Sequence, residues 1–460
     1  MLSDDQKLKT IRAAFPSEGL FAEKHWLLSP EPFAIDPTFA KDLERLGHQL
    51  FVFQRACNQL YQLSAKGKQP AWVASYLDAG KPSDLVEFSR SKLFRDDLPL
   101  VIRPDLVLTE NGYIIAEIDS VPGGIGLTGW LNQTYHSLGM DVIGGATGML
   151  DGFRSLLPEG GDILISEESS TYRPEMNWVV VQLCDASSQP ADADDATCKV
   201  APRQKWEVHA AETYTPIAGR NVYRFFELFD LPNLPRVGEL LRAVSDGAVW
   251  ITPPVKPFLE EKIWFALFWM QPLREFWRRE LGDKYFKKLR EVIPYTWLMD
   301  PTPLPQHAVI PRLEIHDWRE AGKLSQKDRD LLLKVSGFSP LGWGSRGVVV
   351  AQDVPQTEWA AHVEKALVTF GSTPQIMQRF SKGRLLQQRY WDPETEELKT
   401  MRGRVRLCPY YFVENGKVQF RGALATIVPA DKKLLHGMSD AILAPTAVEE
   451  KETAAGVQRN

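Results

Sequence analysis

Residues 103–124 read RPDLVLTENGYIIAEIDSVPGG, and no other stretch restricts the fold as tightly. Asn111-Gly112 sits between two alternating apolar runs, which is the pattern of a β-hairpin. A three-residue loop, Glu110 to Gly112, with Gly112 in the left-handed position, sets Thr109 opposite Tyr113, Val107 opposite Ile115 and Asp105 opposite Glu117. Side-chain alternation then gathers Leu106, Leu108, Ile114, Ala116 and Ile118 on one apolar, core-facing side. Asp105, Val107, Ile115, Glu117 and Asp119 share the other side. Opposed residues have Cβ atoms about 4.5–5.5 Å apart, so three carboxylates converge at the open end. Two things relieve such a cluster. One is solvent, with the carboxylates as an exposed rim; the other is a hard divalent cation such as Mg²⁺, which favours oxygen ligands. A two-residue loop would slip the register by one and send Asp105 to the opposite face.

Composition narrows the field of functions. A chain of 460 residues, 44% of them hydrophobic, has room for two or three domains, and a net charge of −5 gives no nucleic-acid footprint. The opening MLSDDQKLKT has no apolar run behind a basic flank and does not read as a secretory signal. The longest apolar run, Ile263 to Met270, falls far short of the roughly 20 residues that span a bilayer, so no membrane partner is expected. Cys57, Cys184, Cys198 and Cys408 are scattered without CxxC spacing or nearby histidines, which argues against zinc and for a reduced, cytoplasmic setting. The histidines are dispersed, and neither Ser-His-Asp nor Cys-His catalysis is visible. His436, in LLHGMSDA, reads as structural.

The overall pattern is that of an α/β (α+β) protein. Residues 1–98 read as a helical N-terminal region, with Leu43, Leu46, Leu50, Phe53, Cys57, Leu60 and Leu63 along one helix face. Residues 99–150 hold the hairpin, a glycine-rich turn and a helix from Gly129 to Leu138. Residues 151–257 form a second α/β segment, with DILIS, WEVHAAE and AVWITPP as strands, an apolar run over Glu175–Leu183 and a polar loop over Asp185–Gln204. Residues 258–446 begin with long helices and continue with strands at LLLKVSG, RGVVVAQD, QIMQRF, RLLQQRYWD, RVRLCPYYFV and KVQFRGALATIV. Residues 447–460 read as a tail.

Three further stretches bear on chemistry. In LLLKVSGFSPLGWGSRGVVVA a strand ends at Lys334, a loop with Gly337, Gly342, Gly344 and Gly347 follows, and a second strand leaves at once. No Gly-Lys-Ser/Thr enters a helix, so this is not a Walker A loop. Its glycines let backbone N–H groups approach phosphates, with Ser336, Ser345, Arg346 and Lys334 as further donors. The same loop also reads as a plain flexible hairpin. Gly124-Ile-Gly126-Leu-Thr-Gly129 fits a dinucleotide fingerprint, but it follows a hairpin and lacks the acidic residue that fingerprint needs further on. Arg402, Arg404 and Arg406 alternate on one strand face, either solvated or facing an anion. Glu260-Glu261-Lys262 heads an aromatic-rich helix. The two carboxylates suit the helix dipole there, and Lys262 works against it.

Taken together, these parts resemble the ATP-grasp family, and their order resembles its circularly permuted branch, which includes glutathionylspermidine synthetase-like proteins. The resemblance covers most of residues 100–445 and makes the segment near Asp162–Pro254 a pre-ATP-grasp domain. It implies an Mg²⁺- and ATP-dependent carboxylate–amine or carboxylate–thiol ligase that works through an acylphosphate. Asp105, Glu117 and Asp119 would hold Mg²⁺. Lys262, Lys334, Ser336, Gly342, Gly344, Ser345 and Gly347 would contact or cover the ATP phosphates. Gln378, Arg379 and Phe380 would form the adenine hinge. Arg406 and Arg404 would stabilise the transferred phosphate, with Arg346 beside them. Two positions depart from the family: its usual acidic hinge residue is replaced by Gln378-Arg379, and its third metal position, most often Asn, is Asp119. A non-catalytic nucleotide-binding scaffold and a dinucleotide oxidoreductase are the alternatives. Tyr172, Arg173, Glu175, Asn177, Arg220 and Arg224 are expected near the substrate, where arginines suggest an anionic one. The substrates expected are small-molecule or peptide carboxylates and amines.

Overall fold

The structure, a computed structural model, describes residues 2–15, 25–185, 205–435 and 439–449. The N-terminal helical periodicity is realised as helix Pro37–Ala65, which buries Leu43, Leu46, Leu50, Phe53, Cys57 and Leu60. Asp36 caps it by accepting from the N–H groups of Thr38 and Phe39 at 2.9 Å each, and Pro37 starts it where no N–H is needed. The region is not purely helical. Strand β1 (Phe33–Ile35) precedes this helix and joins the largest sheet.

The hairpin forms from β2 (Val101–Thr109) and β3 (Gly112–Asp119). Its loop has two residues rather than three, so Thr109 pairs with Gly112, Leu108 with Tyr113 and Leu106 with Ile115. That slip would separate Asp105 from Glu117. One extra residue on β3, Ala116, undoes it: beyond this β-bulge Asp105 faces Glu117 and Arg103 faces Asp119. The core face is therefore Leu106, Leu108, Tyr113 and Ile115. Ile114 and Ala116 turn to the other side, against expectation. Tyr113 can sit in the core because its hydroxyl donates to Asp42 at 3.0 Å.

The second segment is a parallel sheet of β4 (Gly161–Ile165), β5 (Trp206–Ala210), β6 (Val222–Phe225) and β7 (Ile251–Thr252), in the order β5-β4-β6-β7. The apolar run at 175–183 lies within helix Arg173–Asp185. The polar loop falls almost wholly outside the described residues, as do His436 and Cys198. Helices Ile263–Trp269 and Arg274–Val292 follow. They lead to an antiparallel sheet of β8 (Thr296–Leu298), β9 (Leu331–Val335), β10 (Val348–Val350) and β11 (Gln375–Arg379), in the order β10-β9-β11-β8.

The chain then returns to the hairpin. β12 (Leu386–Asp392), β13 (Glu397–Glu414), β14 (Lys417–Pro429) and β15 (Ile442–Val448) complete a sheet ordered β1-β15-β14-β13-β2-β3, with β12 also on β13. The supposed tail thus begins inside β15, which pairs in parallel with β1. No helix among the described residues is long and apolar enough to cross a membrane.

Helix Pro37–Ala65 lies on this sheet at close range. A Cβ on Gly47 would come 2.4 Å from the Tyr411 ring, and that ring is pinned by its hydroxyl to Leu43 O at 2.6 Å. Gly47→Ala is therefore expected to destabilise the protein by about 1–3 kcal/mol through overpacking. Gly238→Ala, in helix Val237–Ser245 with nothing within 4 Å of the new Cβ, should be neutral or stabilising by up to about 1 kcal/mol. Urea unfolding of the two variants checks both signs.

Candidate active site

The largest sheet, the parallel sheet and the glycine loop between β9 and β10 border a cavity of about 590 Å³. The hairpin contributes Arg103, Asp105, Glu117 and Asp119, and β13 contributes Arg406. Lys262 and the glycine loop, through Gly337 and Gly342–Ser345, form another wall. Tyr172, Glu175, Phe226 and Glu227 of the parallel-sheet segment close the far end, beside Glu260. A narrower slot of about 100 Å³ runs between the hairpin and the sheet of β9 to β11, lined by Ile114, Ala116, Lys334, Gln378, Arg379 and Phe380.

The bulge brings the three carboxylates to one cavity, and three cations meet them there. Arg406 Nη1 donates to Asp105 Oδ2 at 3.1 Å. Arg103 Nη2 lies 3.4 Å from Asp105 Oδ1 and donates to Asp119 Oδ2 at 2.7 Å. Lys262 Nζ is 3.2 Å from Glu117 Oε1. Burial works to raise the Asp105 pKa, but Arg103 and Arg406 outweigh it and hold the group below the usual carboxylate range. Burial pushes Asp119 up; Arg103 opposes this, while Glu117 and Asp105 add to it. Arg103 escaped the sequence reading, yet it stands two residues before Asp105 and so shares its face.

All three carboxylates offer oxygen to the same space, which suits a hard cation in kind. Their outward oxygens are engaged by guanidinium and ammonium groups, so a cation would exchange these ion pairs for metal bonds. A tighter group, Asp162, Glu207 and His209, has its ligand atoms within 4.8 Å of one another. It fits a metal poorly: Arg220 Nη2 donates to Asp162 Oδ1 at 2.6 Å and Tyr214 Oη donates to Oδ2 at 2.7 Å, filling the one buried carboxylate.

Lys334 is buried, and its Nζ donates to Ala116 O and Gln378 Oε1, each at 2.9 Å. Burial pushes its pKa down to about 8, with Glu117 opposing. Gln378 in turn donates to Thr296 Oγ1 at 3.1 Å, so its amide serves as a fixed spacer for the lysine. Lys262 Nζ donates to Gly342 O at 2.5 Å. Burial works to lower the Lys262 pKa, but Glu117 and then Glu227 hold it above its ordinary value.

Glu261 anchors the start of the glycine loop. It accepts from the Ser336 hydroxyl, from Gly337 N at 2.8 Å and from Phe338 N at 3.3 Å, and it pairs with buried Lys81 at 2.5 Å. Ser336 is thereby turned away from the cavity, contrary to its expected role as a phosphate donor. Gly347 is likewise outside the lining. It is needed for close packing, since a Cβ there would lie 2.5 Å from Leu341 O. Gly342, Gly344 and Ser345 do face the cavity, and Ser345 adopts a left-handed φ of 59°.

Two expected catalytic arginines lie elsewhere. Arg404 donates to Gly383 O and Lys432 O, each at 3.1 Å, and to Ala430 O, which fixes a loop. Arg346 stacks on Trp343 at 4.4 Å and donates to Glu168 at 2.7 Å, tying the glycine loop to the parallel-sheet segment. Arg406 alone of the three reaches the cavity. Of the expected substrate residues only Tyr172 and Glu175 line it. Arg173 donates to Ile165 O at 3.1 Å, Arg220 serves Asp162, and Arg224 is fully buried against Glu260. The far end is acidic instead. Burial pushes Glu227 well above its ordinary pKa, and Glu260 and Asp119 push it further. Gly126 and Gly129 pack against Glu175 and Trp178 of the adjoining helix. Their preceding strand belongs to an antiparallel hairpin, which leaves the dinucleotide reading without structural support.

These environments predict opposite effects on stability. Asp105→Asn removes the carboxylate that Arg406 pairs with and one of the two that Arg103 faces, leaving Arg103 only Asp119, and should cost about 3 kcal/mol. Glu227→Gln removes a carboxylate that resists ionisation and should stabilise by on the order of 1–2 kcal/mol at pH 7.5. Because the folded pKa of Glu227 is raised, wild-type stability from this group is lost as pH climbs from the ordinary glutamate value to the folded one. The advantage of Glu227→Gln should therefore shrink toward about pH 4. Melting temperatures across that range check it.

No protein-family model matches the chain, and no curated protein matches it. Among solved structures, the glutathione synthetase-like effector GSS30 from Globodera pallida, in apo form, matches over 97% of this chain and 96% of that chain, with a TM-score of 0.54 at 11% identity. A proposed gamma-glutamylcysteine synthetase from Methylobacillus flagellatus KT matches over 84% and 86% with a TM-score of 0.36 at 10% identity, too low to support an argument. The first likeness establishes the fold alone: this chain is a mixed α/β protein with a glutathione synthetase-like architecture.

Proposed function

We propose that the protein is an Mg²⁺- and ATP-dependent ligase that joins a carboxylate to an amine through an acylphosphate, on a circularly permuted ATP-grasp frame. The carrying observation is that one cavity unites the hairpin carboxylates, Lys262 and the glycine loop, with the Lys334 slot beside it. The hairpin preceding the loop by more than 200 residues supports the permuted order, and the likeness to a glutathione synthetase-like protein supports the ligase class.

Asp105, Glu117 and Asp119 would hold Mg²⁺, which when bound supplies positive charge to the phosphates. Lys334 and Lys262 would hold phosphate oxygens, covered by the backbone of Gly342–Ser345. Arg406 and Arg103 would face the charge that develops during transfer. A carboxylate is a poor electrophile and must meet another anion; cations and backbone donors fixed beforehand reduce that barrier. The acidic far end favours an amine over a thiol as the second substrate, because Glu227 and Glu260 suit an ammonium group. An ammonium group seated beside Glu227 would favour the ionised carboxylate that burial opposes. The substrates are small molecules or peptides that fit the cavity.

A second reading is a nucleotide-binding scaffold without turnover. It is favoured by the ion pairs already made by Asp105, Glu117 and Asp119, and by the engagement of Gly337 and Phe338 N–H groups with Glu261.

The test is ADP release from ATP with pools of amino acids, peptides and amines. The ligase reading expects release that needs both a carboxylate and an amine, and a loss of at least about 100-fold in Lys334→Met. Mg²⁺-dependent nucleotide binding with no release from any pool would establish the scaffold instead. Lys334 is protonated below its pKa of about 8, so nucleotide affinity should fall as pH rises through that value. Lys334→Met should flatten that profile in a calorimetric titration.

A further inference from the structure

A cationic surface outside the cavity has no role in the proposed reaction. Trp269 at the end of helix Ile263–Trp269, Tyr295 just before edge strand β8 and Trp297 within it form an aromatic ladder, with ring centroids 4.5 Å and 4.7 Å apart. Three guanidinium groups lie against it. Arg290 Cζ is 3.7 Å from the Trp269 centroid, and Arg312 Cζ is 4.3 Å from Tyr295 and 5.0 Å from the same Trp269. Arg379 Cζ stands 5.9 Å from Trp297, and its Nη2 reaches Arg312 O at 3.5 Å. Trp269 is fixed in turn by donating to Pro294 O at 2.9 Å.

These arginines lack the usual counter-charge. In the helical turns before Gly282, where the span Arg274–Val292 is interrupted, Arg278 pairs with Asp283 at 2.9 Å and Arg279 with Glu280 at 2.8 Å. Among the described residues, none of Arg274, Arg290, Arg312 and Arg379 forms an ion pair. Burial lowers the Arg290 pKa, and Arg312 and Arg274 lower it further; no carboxylate counters them. Arg312 also adopts a left-handed φ of 67°, a strained backbone for a non-glycine residue of the kind that gathers at binding sites. A guanidinium held over an aromatic ring keeps N–H groups that can donate in pairs, the geometry that matches phosphate and carboxylate oxygens.

We propose that Arg290 and Arg312, stacked on the Trp269–Tyr295 ladder and flanked by Arg274 and Arg379, form an oxyanion site for a phosphate-bearing ligand, separate from the main cavity. None of the four lines that cavity, and only Arg379 touches the slot. Arg290 and Arg312 both approach the Trp269 ring, and Arg312 is near enough to lower the Arg290 pKa, so one anion with two charged ends, such as pyrophosphate, suits the pair. An anion there relieves the repulsion between them in a chain whose net charge is −5.

Calorimetric titration with inorganic pyrophosphate, phosphate and sulfate, at ionic strength matched with sodium chloride, tests this. Saturable binding of pyrophosphate is expected, weakened at least tenfold in Arg290→Gln and in Arg312→Gln and retained in Lys262→Met. Arg312 is exposed, so its substitution probes the site without threatening the fold. Unchanged affinity in both arginine variants, loss in Lys262→Met alone, or no binding beyond the chloride control would each overturn the proposal. Equal binding of sulfate would support a general oxyanion site, and preference for pyrophosphate one for phosphoryl groups.

Discussion

The hydrogen bond from the Lys334 ammonium to the Ala116 carbonyl joins two sheets whose strands do not otherwise pair. It exists because β3 carries one residue too many. The bulge takes the Ala116 carbonyl out of the regular ladder, where a lysine from β9 can claim it. The same extra residue returns Asp105 to its place opposite Glu117. One irregularity of backbone thus fixes the hairpin carboxylates and seats the buried lysine beside them. Gln378, spanning Lys334 and Thr296, holds the other side of that ammonium and keeps the slot narrow.

Around this joint the cavity carries more carboxylates than cations. Arg103, Arg406 and Lys262 offset the hairpin end, where Asp105 stays ionised. Glu227 and Glu260 at the far end are offset only in part, and burial raises both. The imbalance suits a site that receives metal and amine cations along with an anionic nucleotide. The glycine loop above is not loosely attached. Glu261 grips its first residues and is itself neutralised by Lys81, which comes from the N-terminal helical region. Gly80 lets that region approach closely, since a Cβ there would lie 1.9 Å from Ser372 O. The N-terminal helices therefore brace the loop.

Much of this was legible in the sequence where local pattern and tertiary demand agree. The stripe from Leu43 to Leu60, the strands at Lys334 and Gln378 and the pairing of Asp105 with Glu117 are all present. The sequence predicts that pairing with a three-residue loop, because a bulge inside a strand leaves no periodic trace when it cancels a shorter turn. Arg404 and Arg406 illustrate a second limit. Alternation places both on one face, but only the structure shows that backbone carbonyls at 383, 430 and 432 absorb the first. The arginines of the parallel-sheet segment suggested an anionic substrate. Each turned out to neutralise or brace a neighbour, a long-range pairing that spacing along one strand cannot reveal. β8, β15 and β1 are short or close to chain ends and gave too few alternations to read.

The central claim is that the hairpin carboxylates and the two lysines form one site for a metal–nucleotide pair. Thermal unfolding with ATP and Mg²⁺, with ATP and a chelator, and with NAD tests it most directly. Ligand at 100 times its dissociation constant stabilises by about 2.7 kcal/mol, which shifts the midpoint by up to a few degrees in a chain of this size. The account predicts a shift with ATP that requires Mg²⁺ and disappears in Asp105→Asn and Lys334→Met proteins that remain folded. A shift with NAD alone, or an ATP shift indifferent both to the chelator and to these substitutions, would contradict it.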